Sequence, residues 1–234
     1  SSVLKSVLSR AENGPGGAVI VVGETGIGKT TLLQRATRAI EKKSIMVSCP
    51  KEGFDALIQE LARKLHVESK EPTRRIVYEE LRLKNIEVLV IDNLHWLIRP
   101  YVGSQGNLDK LAEIFAHAPN LLCVMSLNAS TWQYILRARA DRIFDKSVLK
   151  IPLWTSDQIA TLIRNSCDAA EIVPDFSNIV IPRQYDDNNI DDPKERAFSG
   201  FIRILHGAAA GNPQVALGLW VKSLYLDKEQ NVIA

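Results

Sequence analysis

The stretch Gly23-Glu24-Thr25-Gly26-Ile27-Gly28-Lys29-Thr30 constrains this chain more than any other. It is a complete G-x-x-x-x-G-K-T phosphate-binding loop. The apolar, β-branched run Ala18-Val19-Ile20-Val21-Val22 before it has the composition of a buried strand. Thr31-Leu32-Leu33-Gln34-Arg35-Ala36 after it reads as the start of a helix. Three glycines let the backbone turn with its N–H groups inward, at a helix N-terminus whose dipole favours anions. A Gly-rich strand–helix turn that binds nothing is the bland alternative, and a complete motif in this context argues against it. Gly23, Glu24, Thr25, Gly26, Ile27, Gly28, Lys29, Thr30 and Thr31 are therefore expected to hold the phosphates of a nucleoside triphosphate. Lys29 reaches the β- and γ-phosphates, and the Thr30 hydroxyl holds Mg²⁺.

The surrounding pattern predicts an α/β fold. Strand segments at 17–22, 44–49, 86–91 and 120–126, with a shorter one at 147–152, alternate with helical segments at 29–42, 53–66, 73–84, 107–117 and 129–138. Such alternation implies a parallel sheet with helices on both faces, and nearly uniform apolar strands suit a sheet covered twice. After Pro152 the pattern turns helical only. Thr155 or Ser156 reads as the N-cap of the next helix, and helices follow at about 196–209 and 213–226. The expected organisation is a nucleotide-binding core over 1–152 and a small helical domain over 153–234, with a polar, solvated loop inserted at about 174–195.

Composition sets limits on function. Of 234 residues 46% are hydrophobic, enough for a core, and the net charge of +2 offers no basic tract for tight nucleic-acid binding. A local basic patch stays open. Cys49, Cys123 and Cys167 are odd in number and lack metal spacing, so they read as buried thiols in a reducing, cytoplasmic setting. No apolar run reaches the roughly 20 residues needed to span a bilayer. Both ends of the chain read as interior, as if a domain had been excised from a longer protein.

A second motif lies downstream. Ile86-Glu87-Val88-Leu89-Val90-Ile91-Asp92 is an apolar strand ending in an acid. With the phosphate loop upstream it fits the Walker B pattern, in which the carboxylate of Asp92 acts on Mg²⁺. Asn93 follows, where many ATPases place a glutamate to polarise the attacking water. An amide can position water but cannot take its proton. Slow hydrolysis, or a base from elsewhere, is the expectation. No N-K-x-D segment is present to read guanine, which favours ATP.

Asp92-Asn93-Leu94-His95-Trp96 resembles the D-D-L-H-W segment of STAND signal-transduction ATPases, relatives of AAA+ proteins. Lys150-Ile151-Pro152-Leu153-Trp154-Thr155-Ser156-Asp157-Gln158-Ile159 is similar to the junction that opens the helical lid in STAND and Orc/Cdc6-like ATPases. Gly211-Asn212-Pro213-Gln214 resembles the STAND G-x-P motif. The resemblance covers roughly residues 15–225. It implies a helical lid after the core, with Pro213 beside the adenine or ribose. The family's sensor arginine is missing at Gln214 and Val215, and its G-R-E adenine segment is absent near the N-terminus. His95 and Trp96 read as packing groups, His95 also as a polar group behind the site. Asn128, at the tip of the buried strand Leu121–Asn128 expected next to the Walker B strand, reads equally as a sensor of the γ-phosphate or as the N-cap of the next helix. Arg137, Arg139 and Arg142 lie where oligomeric relatives place a finger arginine, or are solvated surface residues.

The resemblance implies a regulatory ATPase domain in which Mg-ATP binding and slow hydrolysis shift the lid, read by a fused or bound protein partner. A ring-forming AAA+ motor or loader on DNA, of the transposition or origin type, and a nucleotide-locked scaffold are the alternatives. Nucleotide-dependent oligomerisation belongs to the ring-forming motor.

Overall fold

The structure is a computed structural model that describes residues 2–14, 16–69, 71–98, 106–139, 147–176, 179–186, 189–226 and 232–233. It divides into two compact units, one of Ser1–Thr25 with Lys29–Ile151, the other of Gly26–Gly28 with Pro152–Ala234.

The first unit is built on five parallel strands: β1 (Gly17–Gly23), β2 (Ser44–Ser48), β3 (Val88–Asp92), β4 (Leu122–Asn128) and β5 (Val148–Lys150). Their order across the sheet is β2-β3-β4-β1-β5. Six helices accompany them among the described residues: α1 (Ser2–Asn13), α2 (Lys29–Ala39), α3 (Phe54–Lys64), α4 (Arg74–Leu83), α5 (Gly106–His117) and α6 (Ala129–Arg139).

The period-2 alternation of a strand divides the sheet's side chains between two cores. Val19, Val21, Val88, Val90, Leu122 and Val124 pack with Val3, Val7 and Ala11 of α1 and Leu32, Leu33 and Ala36 of α2. Ile20, Val22, Leu89, Ile91, Cys123, Met125 and Leu127 face the other way, onto Phe54, Leu57 and Leu61 of α3 and Val77 and Leu81 of α4. Both faces are thus buried, which accounts for strands that are apolar at every position.

The parity has a consequence at the strand ends. Val88 and Val90 put Asp92 on the α2 face, and Leu122 and Val124 put Ser126 and Asn128 there too. The register Ile91↔Met125 sets Asp92 beside Ser126, and Gly23↔Asn128 sets the tip of β1 beside the tip of β4.

The second unit holds α7 (Ser156–Ala170), α8 (Pro193–Ala209) and α9 (Pro213–Ser223), with a short antiparallel pair, β6 (Tyr225–Leu226) and β7 (Val232–Ile233). Thr155 caps α7 in a reciprocal box with Gln158. Ile159, Ile163, Cys167, Ile202, Leu205, Ala216 and Trp220 form its core. Phe176 stacks on Trp220 at 5.9 Å, and Phe201 meets Trp220 edge-on at 5.6 Å.

Element ends depart from the sequence reading by one to three residues at most elements, β4 running Leu122–Asn128 rather than 120–126 and α2 stopping at Ala39 rather than 42, and three of the departures have a clear local cause. β3 starts at Val88 rather than 86 and includes Asp92, because the β2 pairing Ser48↔Asp92 extends the ladder. α8 starts at Pro193 rather than about 196: Asp192 accepts a hydrogen bond from the Lys194 N–H, and Pro193 tolerates the first helical position. α9 stops at Ser223 rather than 226, since Tyr225 and Leu226 are taken by β7. Within the polar segment, Arg196 binds Asp186 through two hydrogen bonds of 2.6 and 2.5 Å.

Candidate functional site

The loop between β1 and α2 turns through two left-handed glycines, Gly26 at φ 84° and Gly28 at φ 102°. At Gly28 no atom lies within 4 Å of where a Cβ would sit. Backbone conformation rather than space therefore asks for glycine there. Ile27 is buried between them, while Glu24, Thr25, Thr30 and Thr31 are exposed.

Lys29 opens α2, and its side chain turns back along the loop. It is 7% exposed, and its Nζ donates to the carbonyls of Gly23 and Glu24, each at 2.9 Å. Burial pulls the ammonium below its usual pKa, opposed by the charges of Asp92 and Glu24.

Asp92 is 1% exposed and has hydrogen bonds to both carboxylate oxygens. Thr30 Oγ1 donates to Oδ2 at 2.6 Å, and Ser126 Oγ donates to Oδ1 at 2.5 Å. Asn93 leaves β3 in the left-handed conformation, φ 57° and ψ 35°. Its amide Nδ2 donates to Asp92 Oδ2 at 3.3 Å and to Ser48 Oγ at 3.2 Å. Its backbone N–H donates to Ser126 Oγ at 2.8 Å.

The short 3-10 turn Leu94–Trp96 follows. The His95 ring lies 4.8 Å from that of Trp96, over which Lys51 Nζ sits at 4.7 Å. His95 Nδ1 is buried with no hydrogen-bond partner among the described residues. Burial, and secondarily the charge of Lys29, hold this imidazole below its usual pKa of 6.5.

Lys29, Thr30, Asp92 and Asn93 thus come together at the C-terminal ends of β1 and β3. Asn128 ends β4 opposite Gly23 and immediately precedes α6. Pro213 is buried at the start of α9, in the second unit. Arg137 is exposed on α6, Arg139 is its last residue, and Arg142 lies outside the described residues. Two contributors escaped the sequence reading, Ser48 and Ser126. A lone serine inside an apolar strand was the available signal for Ser126.

The cluster suits a hard divalent cation. Thr30 and Asp92 present a hydroxyl and a carboxylate oxygen side by side, both oxygen donors. Among the described residues no group of three or more His, Cys, Asp or Glu forms a metal cage. Mg²⁺ takes one or two protein oxygens and completes its sphere with phosphate and water.

A family model described as AAA domain matches residues 12–136, just over half of the chain's 234 residues. No curated protein gives a significant sequence match. Among solved structures, the ORC1 protein of Aeropyrum pernix in complex with DNA is similar at a TM-score of 0.61 and 21% identity, over 94% of this chain and 57% of that one. The ADP form of the Aeropyrum pernix ORC2 protein gives 0.63 and 12%, over 95% and 60%. Cdc6p from Pyrobaculum aerophilum gives 0.56 and 18%, over 91% and 62%. The chain spans about three-fifths of the length of these structures. At such identities the likeness is one of fold: a P-loop core of the Orc/Cdc6 kind. No helix among the described residues is long and apolar enough to cross a membrane.

Proposed function

Because the chain belongs to the AAA domain family and has the fold of Orc/Cdc6-like AAA+ ATPases, we propose that it is a regulatory ATPase domain, STAND-like in its motifs, that binds Mg-ATP and hydrolyses it slowly. The observation that carries the reading is the convergence of Lys29, Thr30 and Asp92, with Asn93 where a basic carboxylate would stand.

In this reading the backbone N–H groups of residues 23–30 wrap the phosphates. Lys29 exchanges the Gly23 and Glu24 carbonyls for the β- and γ-phosphate oxygens. Thr30 and Asp92 hold Mg²⁺, whose charge offsets that of the phosphates when it is bound. Asn93 orients water and leaves its proton in place. Asn128 senses the γ-phosphate, and Pro213 packs against the nucleoside. Nucleotide state shifts the helical lid, and a protein partner or fused domain reads the shift. Three unbridged, buried thiols, Cys49, Cys123 and Cys167, suit a reducing cytoplasm.

The test is steady-state ATP hydrolysis by wild type and Asn93→Glu. General-base assistance contributes roughly 10²–10⁴-fold, so wild type turns over well below about 1 s⁻¹ and Asn93→Glu is faster. A wild-type rate in the ordinary enzyme range removes the switch reading and advances the alternative, a ring-forming loader on DNA. Light scattering with a non-hydrolysable ATP analogue, with and without DNA, separates the two by assembly state.

A further inference from the structure

Two strands and a turn meet on one hydroxyl. Ser126 interrupts the apolar run Leu122-Cys123-Val124-Met125 and is wholly buried. Register and parity place it beside Asp92 on the α2 face of the sheet. A serine has one proton to give, and Ser126 gives it to Asp92 Oδ1 at 2.5 Å. Its oxygen accepts the Asn93 N–H at 2.8 Å. The same atom therefore fixes the rotation of the Asp92 carboxylate and the point at which the chain leaves β3.

The geometry points to Ser126 as the positioning residue of Asp92. With Oδ1 tied down by Ser126, Oδ2 stays beside the Thr30 hydroxyl, where the two oxygens would hold a divalent cation. Ser126 acts through the orientation of Asp92. Removing the hydroxyl leaves a buried carboxylate oxygen without its charge-assisted donor, and the carboxylate turns to find another. The inference rests on the Mg-ATPase reading above.

The test uses Mn²⁺ as the probe cation and ADP as the nucleotide, on the whole chain. Electron paramagnetic resonance measures Mn²⁺ affinity in the ADP complex, and calorimetry in chelator measures metal-free ADP binding. Ser126→Ala weakens Mn²⁺ binding by about tenfold to a hundredfold, the range typical when a group that orients a metal ligand is removed. Metal-free ADP affinity stays within about twofold, because the Ser126 hydroxyl is engaged with Asp92 and Asn93. Ser126→Thr, which keeps the hydroxyl, restores Mn²⁺ affinity. If Ser126→Ala does not fold, Ser126→Cys carries the comparison, its thiol being a weak donor of similar shape. Wild-type Mn²⁺ affinity in Ser126→Ala or Ser126→Cys, alongside a loss in Asp92→Ala, overturns the inference and leaves the ATPase reading standing. Equal loss of Mn²⁺ and metal-free ADP binding overturns it too. If Asp92→Ala itself keeps wild-type Mn²⁺ affinity, the metal assignment falls and takes the inference with it.

Discussion

Replacing Lys29 by methionine separates its two tasks, since methionine keeps the apolar stem and removes the charged end. In the structure the ammonium has two carbonyl partners at 2.9 Å, yet burial still holds it below its ordinary pKa of 10.5. A base with a depressed folded pKa disfavours folding while charged. That penalty fades as pH rises through the folded value towards 10.5. At neutral pH Lys29→Met therefore leaves the unliganded protein as stable as wild type, or more so. With nucleotide the sign reverses. A charge-assisted interaction with phosphate, taken at about 1.5–3 kcal/mol, raises the Kd for ADP by roughly tenfold to a hundredfold when lost. At 100 times the wild-type Kd, ADP stabilises wild type by about 2.7 kcal/mol and the variant by about 0.4–1.4 kcal/mol. The ligand-induced rise in Tm, about 2–4 °C per kcal/mol at this chain length, shrinks to half or less. Differential scanning fluorimetry with and without ADP reads both effects. An undiminished ADP shift in Lys29→Met refutes the phosphate role. A markedly lower Tm without ligand refutes the argument from burial.

Asp92→Asn weakens ATP binding in Mg²⁺ much more than ADP binding in chelator, because the carboxylate acts on the metal and the loop on the phosphates; calorimetry under both conditions checks this, and an equal fall in both marks Asp92 as structural. His95, with its folded pKa depressed, contributes stability that is present above pH 6.5 and lost as pH falls through the lower folded value. Denaturant melts from pH 7.5 downward therefore show a slope that His95→Gln flattens. Trp220→Ala, at a site 2% exposed and stacked on Phe176, destabilises the helical unit by about 3–5 kcal/mol. Limited proteolysis should cleave within residues 153–226 first, and equal protection of variant and wild type contradicts the packing argument.

The strand, glycine turn and helix around Lys29 were legible because the motif needs specific residue types at fixed spacing, and the end of β3 because an acid closing an apolar strand stands out. The covered parallel sheet followed from strands apolar at every position. Of the strand order only the neighbourhood of β3 and β4 was expected, since apolar composition is the same for a central strand and its neighbour. Ser126 shows the difficulty most plainly. A lone serine in an apolar strand marks the position but not its partner, and the pairing Ile91↔Met125 is what brings it to Asp92, 34 residues away. Asn93 was noticed for the carboxylate it replaces. That it also turns the chain, at φ 57°, is a backbone fact that asparagine permits but does not declare. The start of α8 could have been read earlier, because Asp192-Pro193 is a cap followed by a first-turn proline.

The strand order also sets a timetable for synthesis. β2 and β3 are neighbours and can pair as soon as both have emerged, but β1 pairs only with β4 and β5 among the described strands. Until Leu122–Asn128 inserts, the loop of Lys29 and the carboxylate of Asp92 sit on strands with an empty slot between them, roughly 9–10 Å wide at two strand spacings. Two apolar strands meanwhile expose unpaired edges, the condition that invites aggregation in a growing chain. In the reading proposed above, the pair of Thr30 and Asp92 that would hold the cation is assembled only once β4 has docked between β1 and β3.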